Sequence, residues 1–166
     1  MKKTELTIKE DKARQLYKTA SPELKELLEE TFGKDNLNPD LKSKVTSVEA
    51  ACKLIGKKRE EWIPYANPKN DWEEALNATA DLWLIAEALR EKKIPDYDNA
   101  DQKKWSPYFE KKKSGFGFAN SFCGYTYSFT GSGALLSVFT EDLAQHFGTH
   151  PPFLALHNKV LTIKKD

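Results

Sequence analysis

The chain has 166 residues, 39% of them hydrophobic, with 26 basic side chains against 25 acidic ones and a formal charge of +1. So even a balance excludes a dedicated coat for duplex DNA, which needs a basic excess to neutralise phosphates. No window approaches the roughly eighteen apolar residues of a membrane span, and two cysteines, Cys52 and Cys123, are too few for a disulfide framework.

The first half is helical in pattern. A short helix runs from Thr7 through Ala13, Leu16 and Tyr17. Ser21 then caps PELKELLEETF, with Pro22 at the first helical position and Leu24, Leu27, Leu28 and Phe32 on one stripe, until Gly33 ends it. DNLNPD reads as a loop. A third helix follows Thr46 or Ser47 and places Val48, Ala51, Cys52 and Ile55 for burial before Gly56 stops it. KKREEWIPYANPKN is a connection that Trp62 and Tyr65 pin to the core. The fourth and longest helix is capped by Asp71; Leu82, Ile85, Ala86 and Leu89 carry its apolar stripe, Trp72, Leu76 and Trp83 widen it, and Pro95 stops it.

Beyond residue 101 the period changes from helical to alternating. Residues 102–140 hold ten of the nineteen aromatic residues, five lysines and one acid. Trp105–Glu110, Gly115–Asn120, Phe122–Phe129 and Ala134–Phe139 read as four short strands, and KKKS, NS and TGSG are too short for crossover helices, so the strands form an antiparallel meander. A helix restarts at Thr140, with Glu141 and Asp142 in its first turn and Gly148 at its end. Pro151 and Pro152 open a last helical turn or two. The expected fold is α+β: one domain over residues 1–166, with about four N-terminal helices at 1–95, a four-stranded antiparallel meander at 104–140 and a C-terminal helical segment at 141–163.

The segments LYKTASPELKELLEETFGK, LWLIAEALREKKIPDYDNADQKKWSPYF, SGFGF and GSGALLSVFTEDLAQHFG, in that order, resemble a group of uncharacterised proteins carried by phages and prophages of gut Bacteroides-like bacteria. The resemblance covers most of the chain. It departs at the end, where those proteins continue one helix and this chain has His150, Pro151 and Pro152. It implies a viral or mobile-element origin, and it brings no known activity and no catalytic residue.

Four local signals bear on chemistry. Gly115-Phe116-Gly117-Phe118, with Lys111, Lys112 and Lys113 upstream, is similar to the base-stacking octapeptide of RNA-recognition motifs. The helix that should follow that strand is missing, however, and inward-facing phenylalanines explain the pattern as well. SVEAACKLIGKKREEW resembles the opening of a helix-turn-helix, but Pro64 and Pro68 break the segment where a recognition helix belongs. His146 and His150 have the i, i+4 spacing of a zinc pair, yet Gly148 falls between them and only Asp142 lies close. Cys123, with Phe122 and Gly124 beside it, reads as a buried small hydrophobe, and no nucleophile elbow or phosphate-cradling glycine loop is present.

These readings add up to a non-enzymatic binding protein without cofactor, whose partner is another protein, viral or host. The contact surface is the outward side of the meander: Tyr108, Tyr125 and Tyr127 as anchors, with Lys111, Lys112 and Lys113 at the rim. Single-stranded nucleic acid on the same aromatic and lysine face is the alternative, and a small enzyme or metal-binding protein, with His146 and His150 as ligands, the third. The charged N-terminus MKKTELTIKEDKARQ lacks the apolar core of a secretion signal, so the expected location is the host cytoplasm or a virion assembled there, and no membrane is involved.

Overall fold

The computed structural model describes residues 8–37, 40–125 and 134–163. The chain divides into two compact units, Met1–Asp40 and Leu41–Asp166.

The first unit holds α1 (Glu10–Thr19), α2 (Pro22–Phe32) and the single turn α3 (Lys34–Leu37). Ser21 caps α2 as its sequence predicts, its hydroxyl accepting from Leu24 N at 3.4 Å. Gly33 ends the helix at φ 79°, a conformation that favours glycine. Where DNLNPD reads as a loop, residues 34–37 form a helical turn, and Leu37 joins Ala13 and Leu28 in a small core flanked by Tyr17 and Phe32. The Tyr17 hydroxyl donates to Glu29, tying α1 to α2.

The second unit is built around α6 (Asp71–Leu89). Ahead of it come the short α4 (Leu41–Lys44) and α5 (Val48–Ile55), then a 3-10 turn at Arg59–Glu61. Ser47 caps α5, accepting from Ala50 N at 3.1 Å, and Gly56 stops it in the left-handed conformation. The cap of α6 is Asn70, one residue ahead of the predicted Asp71; its side chain accepts from Glu73 N, and the Glu73 carboxylate accepts in turn from Lys69 N. Leu82, Ile85, Ala86 and Leu89 are buried as expected. Trp72, Leu76 and Trp83 are not: they follow each other along the outward face and are 64%, 47% and 39% exposed.

The expected four-stranded meander is replaced, among the described residues, by one antiparallel hairpin, β1 (Lys104–Lys112) with β2 (Gly115–Gly124). Asn120-Ser121, read as a connection, continues β2. The irregularity there is a register shift between Tyr108 and Phe109, where Tyr108 opposes Asn120 and Phe109 opposes Phe118, leaving Ala119 as an extra residue. Ala134–Leu136, read as the start of a fourth strand, is a 3-10 turn. The physical reason is Arg90, buried at the end of α6, whose guanidinium Nη1 donates to the carbonyls of Leu135 and Ser137 at 2.6 and 2.7 Å. Those carbonyls are spent on a side chain, and only Val138 pairs with β1, exchanging both backbone hydrogen bonds with Trp105. The second half of the predicted strand Phe122–Phe129, with Tyr127 in it, and the TGSG turn lie outside the described residues.

Thr140 caps α7 (Glu141–Thr149), His150 separates it from α8 (Pro151–Leu161), and the two prolines start the last helix as read. α8 is longer than the turn or two expected. Leu82, Leu84, Ile85, Leu89, Val138, Phe147 and Phe153 form the centre of the core. Gly148 is where α7 meets the hairpin: a Cβ there would sit 2.8 Å from Pro107 Cβ and collide with the Phe118 ring. Among the described residues, no helix is long and apolar enough to cross a membrane.

Candidate ligand-binding cavity

Helix α8 carries two polar residues toward the hairpin, and they behave differently. Asn158 is fully engaged: its Oδ1 accepts from Phe116 N at 2.8 Å and its Nδ2 donates to Phe116 O at 2.9 Å, so one side chain substitutes for a neighbouring strand at the β2 edge. His157, one residue earlier, is 6% exposed and packs on the rings of Phe109 and Phe147, with centroids at 4.5 and 4.8 Å. Burial pushes its pKa down to about 4, opposed by a hydrogen bond to the Phe147 backbone. The imidazole is therefore neutral at pH 7. Its Nε2 is buried and has no hydrogen-bond partner.

His157 lines a cavity of about 520 Å³. Leu82 of α6, Leu136 of the 3-10 turn and Val160 of α8 give it apolar walls. Tyr108, Phe122 and Leu161, which also line it, are 52%, 38% and 41% exposed and stand at its open side. Since Ser106 pairs with Phe122 and Tyr108 with Asn120, Tyr108 and Phe122 are diagonal neighbours on one face of the hairpin. The volume lies within the range of roughly 300–1,000 Å³ usual for ligand pockets.

The residues singled out in the sequence do not form one patch. Tyr108 is at the cavity. Tyr125 is exposed just beyond β2. Lys111, Lys112 and Lys113 are exposed at the opposite end of the hairpin, about 25 Å away at the rise of an extended strand. There Lys111 Nζ lies 5.2 Å from the centre of the Phe116 ring, and the Lys112 stem lies along Gly117. Phe118 meets Phe109 edge-on at 6.4 Å and faces Gly148. Tyr125 and the three lysines are thus separated, Phe116 lies beside Lys111, and Phe118 is spent on packing.

His146 and His150 stack with centroids 4.9 Å apart, and their Nε2 atoms bond successive carbonyls ahead of α5, Val45 O at 2.9 Å and Thr46 O at 2.8 Å. Those nitrogens are donors holding a loop; burial also pushes the His146 pKa down. Asp142 pairs with Lys42. Among the described residues no group of three or more His, Cys, Asp or Glu side chains is placed to hold a metal. Cys52 is buried in the core with its thiol pKa raised by that burial. In the segment resembling a helix-turn-helix, Lys57 pairs with Glu87 and lies over the Trp62 ring at 3.8 Å, while Arg59 makes a two-point pair with buried Asp81 at 2.7 and 2.8 Å. Two of its four basic residues are therefore committed to α6.

Sequence reasoning missed the role of His157. Its signal was position: His157 falls four residues after Phe153 and three before Val160, on the apolar side of HPPFLALHNKVL. Comparison of the chain with models of known protein families, with characterised proteins and with solved structures finds no match in any of the three.

Proposed function

We propose that this chain is a non-enzymatic binding protein, that it recognises another protein of the phage or of the host, and that the apolar cavity beside the hairpin is its recognition site. The observation that carries this reading is the exposure of Tyr108 and Phe122 beside a cavity with apolar walls. Aromatic side chains left at the surface around a concave apolar site supply most of the binding energy in protein interfaces. The histidines support a role without catalysis, because His146 and His150 are spent on backbone carbonyls and His157 is packed between phenylalanine rings.

The test places a photo-crosslinking amino acid at position 108, and in a control at position 72, in cells in which the native phage is active. One protein captured from position 108, absent from position 72 and lost in Phe122→Asp, supports the site. Equal capture from both positions, or capture that Phe122→Asp leaves unchanged, overturns it.

A further inference from the structure

We propose that the outward stripe of α6 is a self-association surface, on which a second copy of this chain packs its own α6 antiparallel. Past its first turn, α6 has two exposed side chains, Leu76 and Trp83, and both are apolar. The solvent face of a helix ordinarily carries charged or polar residues. Together with Trp72 and half-buried Thr79 they form a row at positions 72, 76, 79 and 83, the 4-3-4 spacing of a coiled-coil seam. On a regular helix the four fall within about 60° of arc and span about 16 Å. The apolar face continues sideways from there. Lys57 Nζ binds Glu87, one turn beyond Trp83, at 2.6 Å and lies 3.8 Å from the centre of the Trp62 ring, which is itself 43% exposed. None of these residues lines the cavity beside the hairpin, so the inference does not rest on the reading above.

Three features favour a second copy over a different protein. The first is that the row is nearly its own reverse. Laid antiparallel on itself, it sets Trp72 against Trp83 of the second copy and Leu76 against Thr79, symmetrically about a two-fold axis. The large rings fall at the ends and the smaller side chains at the centre; a foreign helix would need no such symmetry. The second is charge. Glu73 and Glu87 flank the same side of the row, and in an antiparallel pair that side meets its own copy. Lys57, held on Glu87, then faces the flank that carries Glu73 of the second copy, and the two helix dipoles oppose each other favourably. The third is area. The exposed parts of Trp62, Trp72 and Trp83 amount to roughly 300 Å². With Leu76, Thr79 and the flanking side chains, each copy offers a surface that approaches the roughly 600 Å² per partner at the lower end of stable interfaces.

The experiment is sedimentation equilibrium of the full-length chain from about 1 µM to about 500 µM, over which the mass is expected to rise toward twice that of one chain. Trp72→Glu and Trp83→Lys are each expected to weaken association at least about tenfold. Each new charge suits the end of the helix it occupies, and circular dichroism checks that both variants are folded. Mixing the two variants should restore association. An antiparallel pair with one copy of each sets the new carboxylate against the new ammonium and keeps one tryptophan pair. The photo-crosslinker at position 72 should join two copies of this chain. A chain that stays monomeric over the whole range overturns the proposal, as does a cross-link from position 72 to a different protein. Association that neither substitution weakens places the contact on another face and overturns it equally. A mixture that associates no better than either variant alone overturns the antiparallel pairing. Should either variant fail to fold, Leu76→Cys mixed with Thr79→Cys, both carrying Cys123→Ser, decides the question. Oxidation is expected to give the mixed disulfide dimer in excess over the dimers of either variant with itself, and no excess overturns the pairing.

Discussion

Single polar side chains, each aimed at a short stretch of backbone, hold the loops of this protein. Asn77 donates to Tyr65 O and accepts from Tyr65 N, Asn158 does the same to Phe116, and Lys104 Nζ reaches the carbonyls of Asn99 and Tyr125. His157 is the exception, since its buried Nε2 has no hydrogen-bond partner. Its burial has a consequence for stability with a definite sign. The unfolded chain binds a proton at this residue near pH 6.5, whereas the folded chain does so only near pH 4. Above about pH 6.5 neither state is charged and the residue adds no pH dependence. Between the two values the unfolded state holds a proton that the native state lacks, so stability falls as the pH falls. The loss is complete below about pH 4 and amounts to about 3 kcal/mol. His146, also pushed down by burial, adds in the same direction, whereas Glu49, whose pKa is lowered, loses its contribution only at more acid pH. Urea unfolding from pH 7.5 to pH 4.5 is expected to show this decline, and His157→Phe should flatten most of it. An unchanged slope in the variant would mean that His157 is not buried as a neutral ring.

At the scale of elements, the contact between α7 and the hairpin has no slack. Gly148 lies inside a helix, where alanine is ordinarily favoured by about 1 kcal/mol. At this position a Cβ meets Pro107 and the Phe118 ring, both carried by the hairpin. Gly148→Ala is therefore expected to destabilise the protein by about 1–3 kcal/mol, the usual cost of overpacking, as read from the urea midpoint. A gain in stability would show that the hairpin yields. Helices were the legible part of this fold. Their apolar spacing and their caps are local, so Ser21, Ser47, Thr140, Gly33 and Gly56 act as their sequence context suggests. The sheet was not legible, because strand pairing here depends on groups distant in sequence. Nothing in ALLSVF announces that Arg90, about 45 residues earlier, takes the carbonyls of Leu135 and Ser137. Nor does Asn120-Ser121 show that its irregularity is a bulge and not a turn. The site was legible in part: Tyr108 was identified as outward, but the aromatic rim and His157 meet only once α8 is laid beside the hairpin.

At the scale of the whole molecule, the two units differ sharply in what they bury. Unit Met1–Asp40 has a core of Ala13, Leu28 and Leu37 with a few half-buried neighbours, while Leu41–Asp166 centres on fifteen buried residues. A segment of about 40 residues is near the lower limit at which a hydrophobic core sustains folding without a metal or disulfide. All four tryptophans, Trp62, Trp72, Trp83 and Trp105, belong to the larger unit. Tryptophan fluorescence therefore follows Leu41–Asp166 alone, whereas far-ultraviolet circular dichroism follows the helices of both. In a urea titration of the full chain the helical signal is expected to begin falling at lower denaturant than the fluorescence, because α1 and α2 are lost first. In the fragment 41–166 the two signals should coincide in a single transition, the signature of a two-state domain. Coincident curves for the full chain would show that the smaller unit unfolds only together with the larger one. A fragment without a cooperative transition would show that the larger core depends on residues 1–40.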